Sequence, residues 1–350
     1  MKQIFSIRLK QARIMQGLSM ESLCEKANYA FSKQAISKYE TGKMMPDSKS
    51  LIILSNVLGV SIDYFFRPIS VSIENVEFRK KAKLGIKQID SIKELVRDKL
   101  ERYFEIETII DIQVEFNSVF NNVLIQGEDD IISIVARIKE EWKLGEDGIN
   151  NLIEILEENK IKVIEIDAPD SFDGLSGYAN GKNPVIVLNK NFDSERKRFT
   201  ALHELGHLLL NFDGSIDEKR IENYCNLFAN EMLISQNVFI QKIGMNRKDI
   251  SLQELQDIQS QFGISIDALM YKAKWLNIIT DFRYKTFCIK KNQTHKFKEE
   301  VEKSRYKQEM SNRFTRLVYR ALASEIISIS KAGSLLNIPV NAIRKELNLV

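Results

Sequence analysis

The stretch FTALHELGHLLLNF, beginning at Phe199, places two of the chain's three histidines four residues apart, with a glutamate directly after the first. Residues four apart on an α-helix stand one above the other on a single face. The spacing therefore predicts a helix on which His203 and His207 turn both imidazoles toward one point. An apolar stripe of Phe199, Leu202, Gly206 and Leu210 runs alongside, so both histidines lie on or beside the buried side. Gly206 leaves room for something close to the backbone. Zinc takes neutral imidazole nitrogens at about 2.0–2.1 Å and, in catalytic sites, keeps one position open. Glu204, offset by one residue, reaches a water at that position without ligating. This is the H-E-x-x-H arrangement, with the glutamate as general base. The competing explanation, two core histidines adjacent by chance, is the weaker one in a chain that uses histidine so sparingly.

Such a site needs a third protein ligand. The remaining histidine, His295, is distant in sequence, which turns attention to carboxylates. Two glutamates on the next predicted helix compete, Glu222 and Glu231. Nine residues apart, they fall on opposite sides of that helix. Both flank its apolar stripe of Ile221, Cys225, Phe228, Ala229 and Met232, so periodicity does not choose between them.

A length of 350 residues predicts two or three domains, and 44% apolar with 28% charged residues is the balance of a globular protein. No run approaches the roughly 18 apolar residues of a membrane span, and the start, MKQIFSIRLKQ, reaches Arg8 too soon for a signal peptide. Cys24, Cys225 and Cys288 are scattered, odd in number and form no C-x-x-C pair, which predicts reduced thiols and a cytoplasmic location. The net charge of +3 is unevenly spread: residues 1–66 hold nine Lys or Arg against five Asp or Glu. A small positive segment leading a nearly neutral remainder points toward nucleic acid.

The expected fold is mainly α with a small β-sheet. Residues 1–68 read as a bundle of five short helices. Ser19 caps MESLCEKA, NYAF forms a turn, Ser32 caps KQAISKYETG, and PDSKSLIILSNVLG and SIDYFF follow. Residues 69–127 read as a connector. Within it, apolar residues at 89, 92, 96, 100 and 103 mark a helix that lies on a neighbour or serves as a dimerisation lever. Residues 128–279 are mixed: helical DDIISIVARIKEEW and INNLIEILEEN, short β-branched runs IKVIEID and NPVIVLN, then further helices. Residues 280–350 open with a basic polar stretch. They end in ISISKAGSLLNIPVNAIRKEL, two small helices around an Asn-Ile-Pro turn, read as a packing pair in preference to a second DNA-reading motif.

RFTALHELGHLLL followed by ENYCNLFANEMLIS resembles the ImmA/IrrE family of zinc peptidases, over about residues 128–275. Its members carry the H-E-x-x-H helix and then a Glu-x-x-Ala-Asn-x-Phe-Ala helix. Matching Asn226, Phe228 and Ala229 to that pattern implies that Glu222 is the carboxylate ligand. Cys225 stands where the family has alanine, and Ile234-Ser235 where Met-Pro is usual. The resemblance implies a zincin-like domain in which Zn2+ is held by His203, His207 and Glu222, with Glu204 as catalytic base. Asn226, one turn after Glu222, is expected to orient that carboxylate. GLSGYANGKNPVIVLN is similar to the family's strand pair before the active helix, and such an edge can hold a peptide by strand addition.

LSMESLCEKANYAFSKQAISKYETGKMMPDSKSLIILSNVLGVSIDYFF resembles the Xre/Cro family of helix-turn-helix regulators. That implies a recognition helix over about 32–41, entering the major groove of an operator with Ser32, Lys33, Gln34, Ser37 and Lys38 at its reading end. Gln34 suits adenine, and Lys33 or Lys38 suits guanine or phosphate. Ala35, Ile36 and Tyr39 are expected to pack inward. The turn is about two residues longer than the commonest version.

Together these resemblances imply a transcriptional regulator with its own zinc peptidase. It would cleave itself or a partner regulator to relieve repression, and bind a two-part operator as a homodimer. The alternatives are a non-enzymatic regulator using the peptidase fold as a sensor, or an antitoxin that binds a toxin through the larger domain.

Overall fold

The computed structural model describes residues 2–74, 84–112, 116 and 123–347. Residues 75–83, 113–115 and 117–122 of the expected connector lie outside the described residues, as do Met1 and 348–350. The chain divides into two compact units, Met1–Glu115 with Tyr178–Asn183 and Asn312–Val350, and Phe116–Gly177 with Pro184–Ser311.

The first unit opens with α1 (Lys2–Met15), α2 (Met20–Lys26), α3 (Lys33–Glu40), α4 (Ser48–Leu58) and a 3-10 helix, Ile62–Phe66. Ser19 and Ser32 accept from the backbone N–H groups of Ser22 and Ala35, the capping that the sequence predicts. SIDYFF, the fifth of the expected short helices, takes the 3-10 form. Phe5, Leu9, Leu23, Ile36, Leu54 and Phe65 fill the core of this bundle.

In the same unit β1 (Ile73–Glu74) precedes α5 (Ile86–Ile109), on which Ile92, Val96, Leu100, Tyr103 and Ile106 are buried. Helix α5 packs on α1, the first of the two roles its stripe suggests. A buried ion pair at 2.7 Å from Arg8 to Glu101 accompanies the apolar contact.

The second unit begins with β2 (Leu124–Ile125), α6 (Glu128–Glu141) and α7 (Leu152–Glu158). Next come β3 (Lys162–Ile166), β4 (Gly174–Ala179) and β5 (Asn183–Asn189). Strands β3 and β5 are parallel, Lys162 opposite Val185 through Ile166 opposite Asn189. Every residue of β5 is buried, which explains its unbroken apolar run. Residues 178–183 cluster with the first unit, where Tyr178 and Ala179 pair antiparallel with Glu74 and Ile73. That end of β4, expected to be open to an added strand, carries one from its own chain.

Helix α8 (Ser194–Leu209) carries the histidine pair, followed by β6 (Asn211–Phe212), which pairs parallel with β2, and α9 (Glu218–Leu233). Then come α10 (Gln236–Ile243), α11 (Leu252–Phe262), α12 (Ile266–Trp275), α13 (Asp281–Gln293) and α14 (His295–Glu302). The basic stretch after residue 280 is thus helical.

The first turns of α8 are tied down by buried polar groups. Arg198 meets Glu309 at 2.6 Å, Lys197 meets Glu165 at 2.9 Å, and Glu195 accepts from Gln259 and the Arg305 N–H, each at 2.9 Å. Partners from three separate segments, β3, α11 and the stretch that follows α14, fix where the helix carries its histidines. The chain closes in the first unit with α15 (Arg313–Ala323), α16 (Ile329–Leu336) and α17 (Val340–Leu347). The fold is mainly α with a small sheet, as the sequence predicts.

Candidate functional site

Helices α8 and α9 pack side by side, and Gly206 sets how closely. A Cβ there would meet Cys225 Sγ at 3.3 Å and Cys225 Cα and Cβ at 3.4 Å. What the glycine leaves room for is the neighbouring helix. Cys225 is fully buried, and burial pushes its thiol pKa well above the ordinary value, so it serves packing and stays protonated.

Across this close contact the structure brings His203, His207 and Glu222 together. The two Nε2 atoms are 3.2 Å apart, and Glu222 approaches His203 Nε2 to 3.2 Å and His207 Nε2 to 3.4 Å. His203 Nδ1 lies 2.9 Å from Asn226 Oδ1, which can only accept, so Nδ1 donates. In the neutral ring the lone pair then sits on Nε2, facing the other imidazole and the carboxylate. Hydrogen bonding to His203, then to His207, holds the Glu222 carboxyl far below the usual carboxylate range. Three such atoms this close are satisfied either by an N–H proton on His207 Nε2 or by a metal ion held among them.

Glu204 projects from the same helix but is 4% exposed, and Ser176 of β4 donates its hydroxyl to Glu204 Oε2 at 2.8 Å. The sequence reading did not single out Ser176, because one polar residue in a six-residue strand carries no periodic signal. Tyr178, two residues on, has its hydroxyl pKa raised by burial.

The two glutamates that periodicity left open have different surroundings. Glu222 is exposed and faces the imidazoles. Glu231 is 1% exposed and pairs with buried Lys272 of α12, whose ammonium also donates to Asn230 Oδ1 and the Ile234 carbonyl at 2.8 Å each. Burial, opposed by Glu231, brings the Lys272 pKa down to about 8. Glu231 is therefore part of a structural ion pair away from the histidines. His295 is exposed and lies 3.5 Å from Glu299.

Beside the histidines a cavity of about 390 Å³ opens between α8, α9 and α12, lined by Phe199, Asn223, Asn226, Asn230, Tyr271 and Trp275 among others. Asn226 belongs both to this wall and to His203. Phe199, expected to be core, is half-buried because it faces this cavity.

In the first unit Ser32, Lys33, Gln34 and Lys38 are exposed along α3, and Ser37 is half-buried. Ile36 and Tyr39 are buried and Ala35 packs against the core, as expected. The Arg13 guanidinium grips Glu40 at 2.6 and 2.7 Å, joining α1 to the end of α3. The turn between α2 and α3 accommodates its extra length by placing Asn28 and Tyr29 in the left-handed region, at φ 49° and 55°.

Residues 156–274 match the IrrE N-terminal-like domain family, and residues 9–65 match the helix-turn-helix family. Two regulators of Bacillus subtilis (strain 168) are similar to the N-terminal part over 64 residues. The SPbeta prophage-derived uncharacterized HTH-type transcriptional regulator YonR is 39% identical, and the uncharacterized HTH-type transcriptional regulator YqaE is 36% identical. Each alignment covers 18% of this chain and about half of the relative, 57% and 53%. The apo form of ComR from S. thermophilus aligns over 96% of this chain and 97% of its own at 13% identity, with a TM-score of 0.18, too low to carry an argument.

Proposed function

We propose that this chain is a DNA-binding transcriptional regulator whose second unit is a zinc-dependent peptidase. It hydrolyses a peptide bond in itself or in a partner regulator and so relieves repression. The observation that carries this reading is the donor triangle of His203, His207 and Glu222, with separations of 3.2, 3.2 and 3.4 Å. Ligands of a tetrahedral zinc at about 2.0–2.1 Å stand about 3.3–3.4 Å from one another. The side chains thus already have the spacing the ion needs, and their donor types are those zinc prefers. The helix-turn-helix match and the exposed polar end of α3 support the DNA half of the reading. Three free cysteines without a C-x-x-C pair favour a cytoplasmic setting.

His203, His207 and Glu222 hold the ion, and Asn226 fixes the ring orientation and tautomer of His203. Bound there, zinc supplies Lewis acidity toward the scissile carbonyl and the attacking water. Glu204 takes the proton from that water and delivers it to the leaving nitrogen. Ser176 anchors Glu204 Oε2, so the carboxylate does not have to reorient between those two transfers. The neighbouring cavity, with Phe199, Tyr271 and Trp275 in its wall, receives an apolar side chain of the bound segment.

The test is to incubate zinc-loaded protein with itself and with regulators encoded beside it, comparing wild type with Glu204→Ala. Cleavage is expected to disappear in the variant while its zinc content is retained. Equal fragment yields from both would remove the enzyme reading.

A further inference from the structure

Helices α16 and α17 are joined by three residues, 337–339, the turn length usual for a DNA-reading helix-turn-helix. Asn337 makes the turn in the left-handed region, at φ 56° and ψ 43°. The two helices meet closely at Gly333, where a Cβ would lie 3.0 Å from the Ile338 carbonyl oxygen and 3.6 Å from side-chain atoms of Val340 and Ile343. Leu317, Val318, Ala321, Ala332, Leu335 and Ile343 are buried, a small three-helix core.

The second helix repeats the surface of α3 in register. Gln34-Ala35-Ile36-Ser37-Lys38 starts at the second residue of α3, and Asn341-Ala342-Ile343-Arg344-Lys345 starts at the second residue of α17. Ile36 and Ile343 are both fully buried, and the flanking pairs Gln34 and Asn341, Lys38 and Lys345, are all exposed. Residues 312–347 hold six Lys or Arg against two Asp or Glu, the same excess of four as residues 1–66.

Packing decides which face is presented. Helices α15 and α16 lie against α5, with Arg102 donating to the Leu335 carbonyl at 2.8 Å, and Ser334 reaches Asp63 at 3.0 Å. Helix α17 packs on α16, and its Asn341, Arg344 and Lys345 are exposed.

We infer that α15–α17 is a second duplex-DNA-binding element, with α17 entering a major groove. Asn341 stands where an amide would read adenine, and Arg344 and Lys345 stand where guanine or phosphate would be met. The inference shares with the proposed function only the premise that the chain binds DNA, and does not depend on the metal site.

The test uses the full chain and a fluorescent duplex from the region upstream of its own reading frame, with affinity measured across a salt series. Three proteins are compared: wild type, Arg344→Ala with Lys345→Ala, and Gln34→Ala with Lys38→Ala. Losing two phosphate contacts should lower the slope of log K against log salt by about 1.8 and weaken binding about 10- to 30-fold at 0.15 M salt. The charge-preserving pair Arg344→Lys with Lys345→Arg should retain the slope. Unchanged affinity and slope in the α17 alanine variant, with loss only in the α3 variant, would overturn the inference. Loss in the α17 variant alone would leave it standing and remove the role assigned to α3.

Discussion

Replacing Glu231 by glutamine removes the charge that compensates a lysine ammonium sealed inside the second unit. The Lys272 and Glu231 side chains are 1% and 2% exposed, and without the carboxylate the ammonium has only neutral acceptors, Asn230 Oδ1 and the Ile234 carbonyl among them. Removing one partner of a buried pair costs roughly 3–5 kcal/mol. The glutamine carbonyl still accepts a hydrogen bond, so about 3 kcal/mol is expected. At neutral pH that should appear as a lower urea midpoint in chelator-treated protein, with one zinc per chain still bound after reloading. The deficit should shrink as pH rises. Lys272 already has a depressed pKa, and without its partner it sheds the proton more readily, whereas the unfolded lysine holds its proton up to its ordinary value of 10.5. Glu222→Gln should behave in the opposite way. Its side chain is 49% exposed, so the metal-free urea midpoint should barely move. Zinc affinity should fall by more than roughly 100-fold, since loss of even an outer partner of a ligand costs about 10- to 100-fold. Metal analysis together with urea titration reads both. A stable Glu231→Gln protein that has lost zinc, or a Glu222→Gln protein as destabilised as Glu231→Gln, would refute the assignment of the two carboxylates.

Asn226→Ala removes the acceptor for His203 Nδ1 and should lower zinc affinity about 10- to 100-fold in competition against a chelator, with little change in fold. Ser176→Ala frees Glu204 Oε2 and should reduce cleavage rate with zinc content unchanged; an unaltered rate would count against the anchoring role. Gln34→Ala with Lys38→Ala should weaken operator binding at matched salt without altering the thermal midpoint, since both side chains are exposed.

The parts legible in the sequence are those governed by local periodicity. His203 and His207 converge because a helix repeats near four residues, and Ser19 and Ser32 cap where their side chains reach the next turn. The parts that were not legible depend on partners far along the chain. Glu222 and Glu231 flank one stripe equally, and what separates them is Lys272, 41 residues beyond Glu231 on another helix. Gly206 announced a close approach, but only the packing of α9 names Cys225 as what approaches. Ser176 meets Glu204 across 28 residues from a short strand whose pattern says nothing about hydrogen bonds. In the same way, the stripe of α5 predicted burial but not the carboxylate of Glu101 that receives Arg8.

X-ray absorption at the zinc edge of the reloaded chain tests the central claim most directly. Two imidazole nitrogens and oxygen ligands at about 2.0–2.1 Å, with no sulfur, are predicted for wild type, and one imidazole fewer for His207→Ala. A protein that takes up no zinc, or a zinc shell that includes sulfur or survives the loss of His207 unchanged, would contradict it.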